Sequence, residues 1–352
     1  LSDEEFFLKV KLVGLQLAVE VAQMFQFPDL NPPTLTIVDR DVEDKWREFL
    51  LRHPSFERVV EVKTEEASEW MTRAENDAPD LAFISYPDSA LAFDTGRILR
   101  QKTRIVLNSN APGAALGMKI VVVPPIDSSD GFPAVGCCED FLSVNGIALI
   151  DTDEALNGMD IINRAESCDS LARGIHYSWM AKPGEPWDIS RIEREWSALS
   201  DTLRDSNRYA ARHFLVKLRY LGWKVIPMAA CYDATEFAFS AINGDQLEIL
   251  GQLEHNRWVA EKYLAGYLPT ACGDPETYQV NKKIFLLHCN ITSWKNLSRE
   301  DQQKDMKALF YAAEIAKSAG LSIVKDTELR RIRDEELTAG SLFESRESDS
   351  TD

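Results

Sequence analysis

Residues Trp196–Val225 read WSALSDTLRDSNRYAARHFLVKLRYLGWKV, and residues Trp294–Ile323 read WKNLSREDQQKDMKALFYAAEIAKSAGLSI. The two lie over one another without a gap at an offset of 98 residues (294 − 196). That offset carries Trp196 onto Trp294, Leu199 onto Leu297, Ser200 onto Ser298, Asn207 onto Asp305 and Gly222 onto Gly320. Upstream of each stretch stands a His-x-x-Trp pair, His176/Trp179 and His255/Trp258, here offset by 79 (255 − 176), as a connecting loop of variable length would produce. Internal similarity of this kind marks a duplicated supersecondary unit. The expectation is the same helical element twice, with Trp196 and Trp294 in equivalent buried places. Paired binding surfaces are expected in place of a single catalytic centre.

Working outward, the region ahead of the repeat has a different rhythm. Apolar runs at Phe7–Val13, Leu35–Val38, Val59–Val62, Leu81–Ser85, Ile105–Leu107 and Lys119–Val123 alternate with helical patterns, such as that carrying Trp46, Phe49 and Leu50. Short strands separated by 10–15-residue helices indicate βαβ units and a parallel, doubly wound sheet. From about Asp153 helical periodicity dominates, and six of the eight tryptophans fall between Trp179 and Trp294, which marks an α-helical region built on aromatic anchors. Beyond about Lys325 the chain turns polar and reads as a disordered acidic tail. The fold class is therefore α/β. Residues 1–145 form a Rossmann-like domain, 165–235 and 245–325 form two mainly helical repeats, and 326–352 form the tail.

With 352 residues the chain has room for two or three domains. The net charge of −18 argues against nucleic acid, whose phosphates need clustered Lys and Arg, and against docking on an anionic membrane leaflet. A local basic pocket for a small anion remains compatible with it. The six cysteines show neither C-x-x-C nor zinc-ligand spacing, so the expectation is free thiols in a reduced, cytoplasmic protein without a metal. No apolar run approaches the roughly 18 residues needed to span a bilayer, and no signal peptide is seen. The chain begins with Leu1, so membrane helices or another domain upstream form part of the expectation.

A dinucleotide-binding half-domain needs a glycine-rich turn after its first strand, and an acidic residue about 20 positions on for the ribose hydroxyls. Here the strand ends LVGLQLAVEVA. Gly14 holds the first glycine place, while Gln16 and Val19 stand where the second and third belong. Asp39, at the end of TIVDRD, is placed as the ribose partner. The cofactor-contact candidates are Gly14, Gln16, Asp39 and Arg40. Two readings stand side by side: a domain that holds a dinucleotide weakly, and one that has lost it and serves for dimerisation.

LVGLQLA and LTIVDRDVEDKWREFL resemble the TrkA-N domain, the nucleotide-sensing domain of potassium-transport regulators. The resemblance covers roughly the first 125–145 residues and implies a regulator gated by nucleotide, without hydride chemistry. LEHNRWVAEKYLAGY followed by KKIFLLHCNITSWKNLSREDQQKDMKALF resembles the ryanodine-receptor-type (RyR) domain of bacterial and phage proteins. Its pattern falls on His255, Gly266-Tyr267, His288-x-x-Ile291-x-x-Trp294, Leu297 and Lys304-Asp305. The first copy supplies His176, Trp196, Leu199 and Ser206-Asn207-Arg208, with nothing in the place of His288.

His255 and Trp258, three apart, share a helix face. His255 can donate to a phosphate and Arg257 can pair with one, while Trp258, Tyr263 or Tyr267 can stack on a purine. The ligand candidates are His255, Arg257, Trp258, Tyr263, Tyr267, His288 and Asp305, with His176 and Trp179 in the first copy. The bland alternative is that the tryptophans are core, and it is favoured for Trp196 and Trp294. Catalytic motifs are lacking: there is no G-x-S-x-G, H-E-x-x-H or Walker A loop, and Cys289 beside His288 points away from it on any regular element.

The resemblance thus implies a non-enzymatic, homo-oligomeric sensor or effector. Its ligand is an adenine nucleotide or NAD-derived signal, in nucleotide signalling or phage defence, and it regulates a membrane partner or an upstream transmembrane segment. The alternatives are a nucleotide-acting hydrolase and a ligand-free oligomerisation scaffold.

Overall fold

The computed structural model describes residues 9–13, 15, 17–26, 32–72, 79, 81–85, 91, 94–102, 119–123, 147–149, 158–182, 185–228 and 237–325. The expected strand Ile105–Leu107, the tail 326–352 and the turn residues Gly14 and Gln16 lie outside them. The chain divides into two compact units. One comprises Leu1–Arg164 with Asn256–Ser293, and the other Ala165–His255 with Trp294–Asp352.

In the first unit, strands β1 (Lys9–Val13), β2 (Thr34–Asp39), β3 (Glu61–Glu66), β4 (Leu81–Ser85), β5 (Lys119–Val123) and β6 (Ile147–Leu149) form one parallel sheet. Its strand order is β3-β2-β1-β4-β5-β6. Helices α1 (Ala18–Met24), α2 (Val42–Arg52) and α3 (Ala67–Thr72) follow the first three strands. β2 is almost wholly buried, as a strand covered on both faces must be. Leu12, Leu35, Ile37, Val21, Ala22 and Phe56 form its core, and Trp46 stacks on Phe49 at 5.1 Å. The apolar pair Val59-Val60, expected inside a strand, sits one step earlier. Both side chains are buried where the turn after Phe56–Arg58 closes, and β3 itself begins at Glu61.

The second unit holds the larger, later part of α4 (Gly158–Met180), α5 (Ile189–Ser197), α6 (Asp201–Tyr220), β7 (Trp223–Pro227), the first part of α7 (Gly244–Leu264), α9 (Arg299–Phe310), α10 (Ala312–Ser318) and β10 (Leu321–Lys325). Between α7 and α9, in the first unit, come β8 (Leu268–Pro269), α8 (Pro275–Ile284) and β9 (Leu287–His288).

The gapless offset of 98 has a residue-by-residue counterpart here. Ser200 caps α6 by accepting from Leu203 N–H, and Ser298 caps α9 by accepting from Asp301 N–H. The Trp196 carbonyl accepts from Leu199 N–H and Arg204 Nε, and the Trp294 carbonyl from Leu297 N–H and Gln302 Nε2. Both tryptophans are buried. Gly222 and Gly320 end the helical stretches at φ +76° and +71°, a left-handed conformation that glycine adopts without Cβ strain.

Three departures correct the expectation of one helical element twice. Each stretch finishes as a strand, since WKVIP and LSIVK pair as an antiparallel ribbon of β7 and β10. The second helix is interrupted at Tyr311, whose ring packs against Trp187 at 5.9 Å. The likeness also stops at the tryptophans, because Ile189–Ser197 is helical where the second copy has β9 and a short 3-10 turn at Trp294–Asn296.

Ion pairs brace this unit. Lys217 on α6 and Glu254 on α7 form an ion pair with both side chains almost fully buried. Arg208 grips Asp169 bidentately at 2.6 and 2.9 Å, tying α6 to α4 and holding the Asp169 carboxyl below the usual range.

Candidate functional site

The carboxyl edge of the sheet is the first place to look, because ligands of open parallel sheets bind there. Asp39 closes β2 and is buried. Its Oδ1 accepts from Arg40 N–H at 2.7 Å and lies 2.6 Å from Lys45 Nζ, while the Arg40 side chain is exposed. Beyond it opens a cavity of about 350 Å³. Asp41, Glu43, Asp44, Glu65, Glu66 and Glu69 line it together with Trp70, and among the described residues no basic side chain does. Six carboxylates around one hollow set up a negative potential that repels a diphosphate.

The sequence candidates around the second repeat separate into distinct settings. His255 is buried in the second unit, with Nδ1 3.1 Å from Asp305 Oδ2 and its ring 6.0 Å from that of Trp294. Arg257 is buried in the first unit, and its Nη1 pairs with Glu261 Oε2 at 2.6 Å. Burial alone would raise the Glu261 carboxyl, but the Arg257 and Lys262 cations outweigh it and hold the group below its ordinary value. Tyr263 packs onto the sheet core with Arg58 5.8 Å above its ring. His176 is half-buried. Burial lowers its pKa, partly countered by Glu195. The Trp179 carbonyl accepts from Lys307 Nζ at 2.6 Å.

Trp258, Tyr267 and His288 are the three that come together, along with residues the sequence reading passed over. The Trp258 and His288 rings meet edge-on at 4.8 Å. Lys262 Nζ stands 5.6 Å from the Trp258 ring and 5.7 Å from that of Tyr267, while 2.7 Å from Glu261 Oε1. Asn290 N–H donates to His288 Nδ1 at 3.1 Å. Tyr278 Oη lies 3.0 Å from His288 Nε2 and 3.3 Å from Nδ1. Lys282, one turn on from Tyr278, lies 6.0 Å from its ring. Its pKa is lowered by burial first, then by the Lys262 and Lys283 charges. A half-buried ammonium crowded by two others is a place that favours an anion.

Local sequence builds this platform. Asp274 caps α8 by accepting from Thr277 N–H, with Pro275 at the first position. Gly266 at φ +84° turns the end of α7 into β8, and β8 pairs with β9 to carry His288 beside Trp258. The same pairing brings Cys272 and Cys289 together as a disulfide with Cα–Cα 5.1 Å. The expectation of six free thiols is thereby corrected. A spacing of 17 residues follows no motif, and the contact arises only because β8 folds onto β9. A signal for the lysines is present in the sequence: in a chain with 57 acidic residues, Thr277–Arg299 has none and contains Lys282, Lys283, Lys295 and Arg299.

Among the described residues no group of three or more His, Cys, Asp or Glu is placed to hold a metal ion, and no helix is long and apolar enough to cross a membrane. No family model and no curated protein matches the chain.

Proposed function

We propose that this protein is a sensor that binds an adenine nucleotide or a related NAD-derived phosphate ligand, with the site at Trp258, Lys262, Tyr267, Tyr278, Lys282 and His288. One observation carries the reading. Two aromatic rings flank the Lys262 ammonium, while a second ammonium, Lys282, lies 6.0 Å from the Tyr278 ring and feels the Lys262 and Lys283 charges. An aromatic face suits a purine, and paired lysines with a tyrosine hydroxyl suit a phosphate.

The parallel strand order 3-2-1-4-5-6 supports a Rossmann-like, TrkA-N-type reading of the sheet unit. The acidic cavity past Asp39 speaks for a sheet that does not itself hold the phosphates. The matched caps, glycines and strands of the two 98-offset stretches support a duplicated, RyR-type helical module. Within this reading His255, Asp305 and Arg257 are structural, because His255 and Asp305 face each other and Arg257 is buried against Glu261, whereas Lys262, which also pairs with Glu261, reaches the rings of Trp258 and Tyr267 as well.

Calorimetry with ATP, ADP, AMP and NAD on the full chain, repeated on Trp258→Ala and Lys282→Ala, tests the site. Binding by the native chain that both variants lose supports it, and binding that both retain removes it. Mass spectrometry of the incubated nucleotide separates a sensor, which returns it intact, from a hydrolase.

A further inference from the structure

Half of the ligand platform stands on α8 and the strand that follows it, and most of α8 faces solvent. Glu276, Thr277, Gln279, Val280, Lys283 and Ile284 of α8 are all exposed, Ile284 at 68% and the following Phe285 at 62%. The main packing partner of α8 is β9. The two-residue β8–β9 pairing, the Tyr278–His288 contact and the Cys272–Cys289 disulfide hold it in place. The β8–β9 pairing is two residues long and both residues of β8 are exposed, so little hydrophobic free energy resists its opening. The disulfide joins the residue three past β8 to the residue just past β9, and so closes a loop that contains the whole of α8. It therefore fixes how far Tyr278 and Lys282 can move from His288.

We infer that the Cys272–Cys289 disulfide is a redox clamp on the ligand site: oxidised, it holds Tyr278 at His288 with Lys282 beside the Tyr278 ring, and reduced, it releases α8 and weakens binding. The inference rests on the ligand site proposed above. Reduction requires a dithiol. The S–S bond breaks, each sulfur takes up one electron and one proton, and the dithiol closes to its own disulfide. Trp258 and Lys262 lie on α7, outside the closed loop, so half of the platform persists in the reduced form. The change is thus one of affinity, with the unit still folded.

The test uses ATP as probe on the full chain, air-oxidised and then reduced with dithiothreitol. Reduction is expected to weaken ATP binding about tenfold, the scale of an ordinary coupling between two sites, with recovery on re-oxidation. The Cys272→Ser/Cys289→Ser double variant should bind like the reduced protein and ignore dithiothreitol. Independently of ATP, limited trypsin digestion reads the clamp: cleavage after Lys282 and Lys283 should proceed sooner in the reduced chain. Equal ATP affinity in both redox states overturns the clamp while leaving the site standing. No ATP binding in either state removes the site, and the clamp with it. Unchanged trypsin sensitivity on reduction shows that α8 is not released and overturns the clamp even if affinity shifts.

Discussion

Val225 and Ile323, separated by the repeat offset of 98, face each other at the centre of the β7–β10 ribbon. Every other pair in the ribbon is symmetric about them, with Lys224 opposite Val324 and Trp223 opposite Lys325 on one side and Ile226 opposite Ser322 and Pro227 opposite Leu321 on the other. The register is thus unchanged when the two copies are exchanged, so they share one ribbon as two subunits of a symmetric dimer would. Such pairing satisfies the backbone of two strands that, alone, would each leave an open edge.

Equivalent glycines should then cost equally. A Cβ on Gly222 or Gly320 meets nothing within 4 Å, so the penalty is backbone strain alone. Gly222→Ala and Gly320→Ala are each expected to lose about 1–2 kcal/mol in urea unfolding, with the two values agreeing within error. A large difference between them would mean that the copies are not energetically equivalent.

Gly251 makes the opposite demand. A Cβ there would sit 2.7 Å from Trp294 Cη2 and 2.8 Å from Met306 Cγ. Alanine gains about 1 kcal/mol in helix propensity but overpacks the core by about 1–3 kcal/mol. Net destabilisation is expected for Gly251→Ala, read as a lower melting temperature. A more stable variant would show that the Trp294 contact yields freely.

Arg257 and Lys282 should separate folding from binding. Arg257→Ala removes one of the two cations paired with the buried Glu261, and is expected to lower stability, by less than the about 3–5 kcal/mol of a buried charge left without any partner. Lys282→Ala, at a half-buried position, should leave the melting temperature nearly unchanged and weaken nucleotide binding about tenfold. Tight binding in Lys282→Ala together with a stable Arg257→Ala protein would reverse these roles.

Binding should also report the titration of Lys282. Burial, Lys262 and Lys283 depress its pKa in the free protein, and a bound phosphate would favour the charged form again. Binding therefore takes up a proton, and affinity falls as pH rises through the depressed pKa toward 10.5, the ordinary lysine value. Calorimetry between neutral and alkaline pH checks this, and affinity that rises with pH would exclude Lys282 from the phosphate contact.

The sequence by itself determined what depends on short-range order. Apolar runs such as Leu81–Ser85 and Lys119–Val123 became strands with those same bounds, because a fully buried parallel strand needs little beyond an apolar stretch of the right length. The repeat was legible because caps, helix and terminal glycine act within a few residues of each other. Trp196 and Trp294 were readable as core from size and apolarity.

Only the tertiary structure decided which polar residues meet. Arg257 and Lys262 look alike on a helix and both pair with Glu261, yet Arg257 is buried while Lys262 also reaches the rings of Trp258 and Tyr267. His255 and His288 both fit one motif, yet the first faces Asp305, 50 residues away, and the second faces Tyr278. Cys272 and Cys289 carry no pairing signal until β8 lies against β9. A charge or a thiol takes its role from the group opposite it, and that group is chosen by chain reversals whose distances the linear order does not encode.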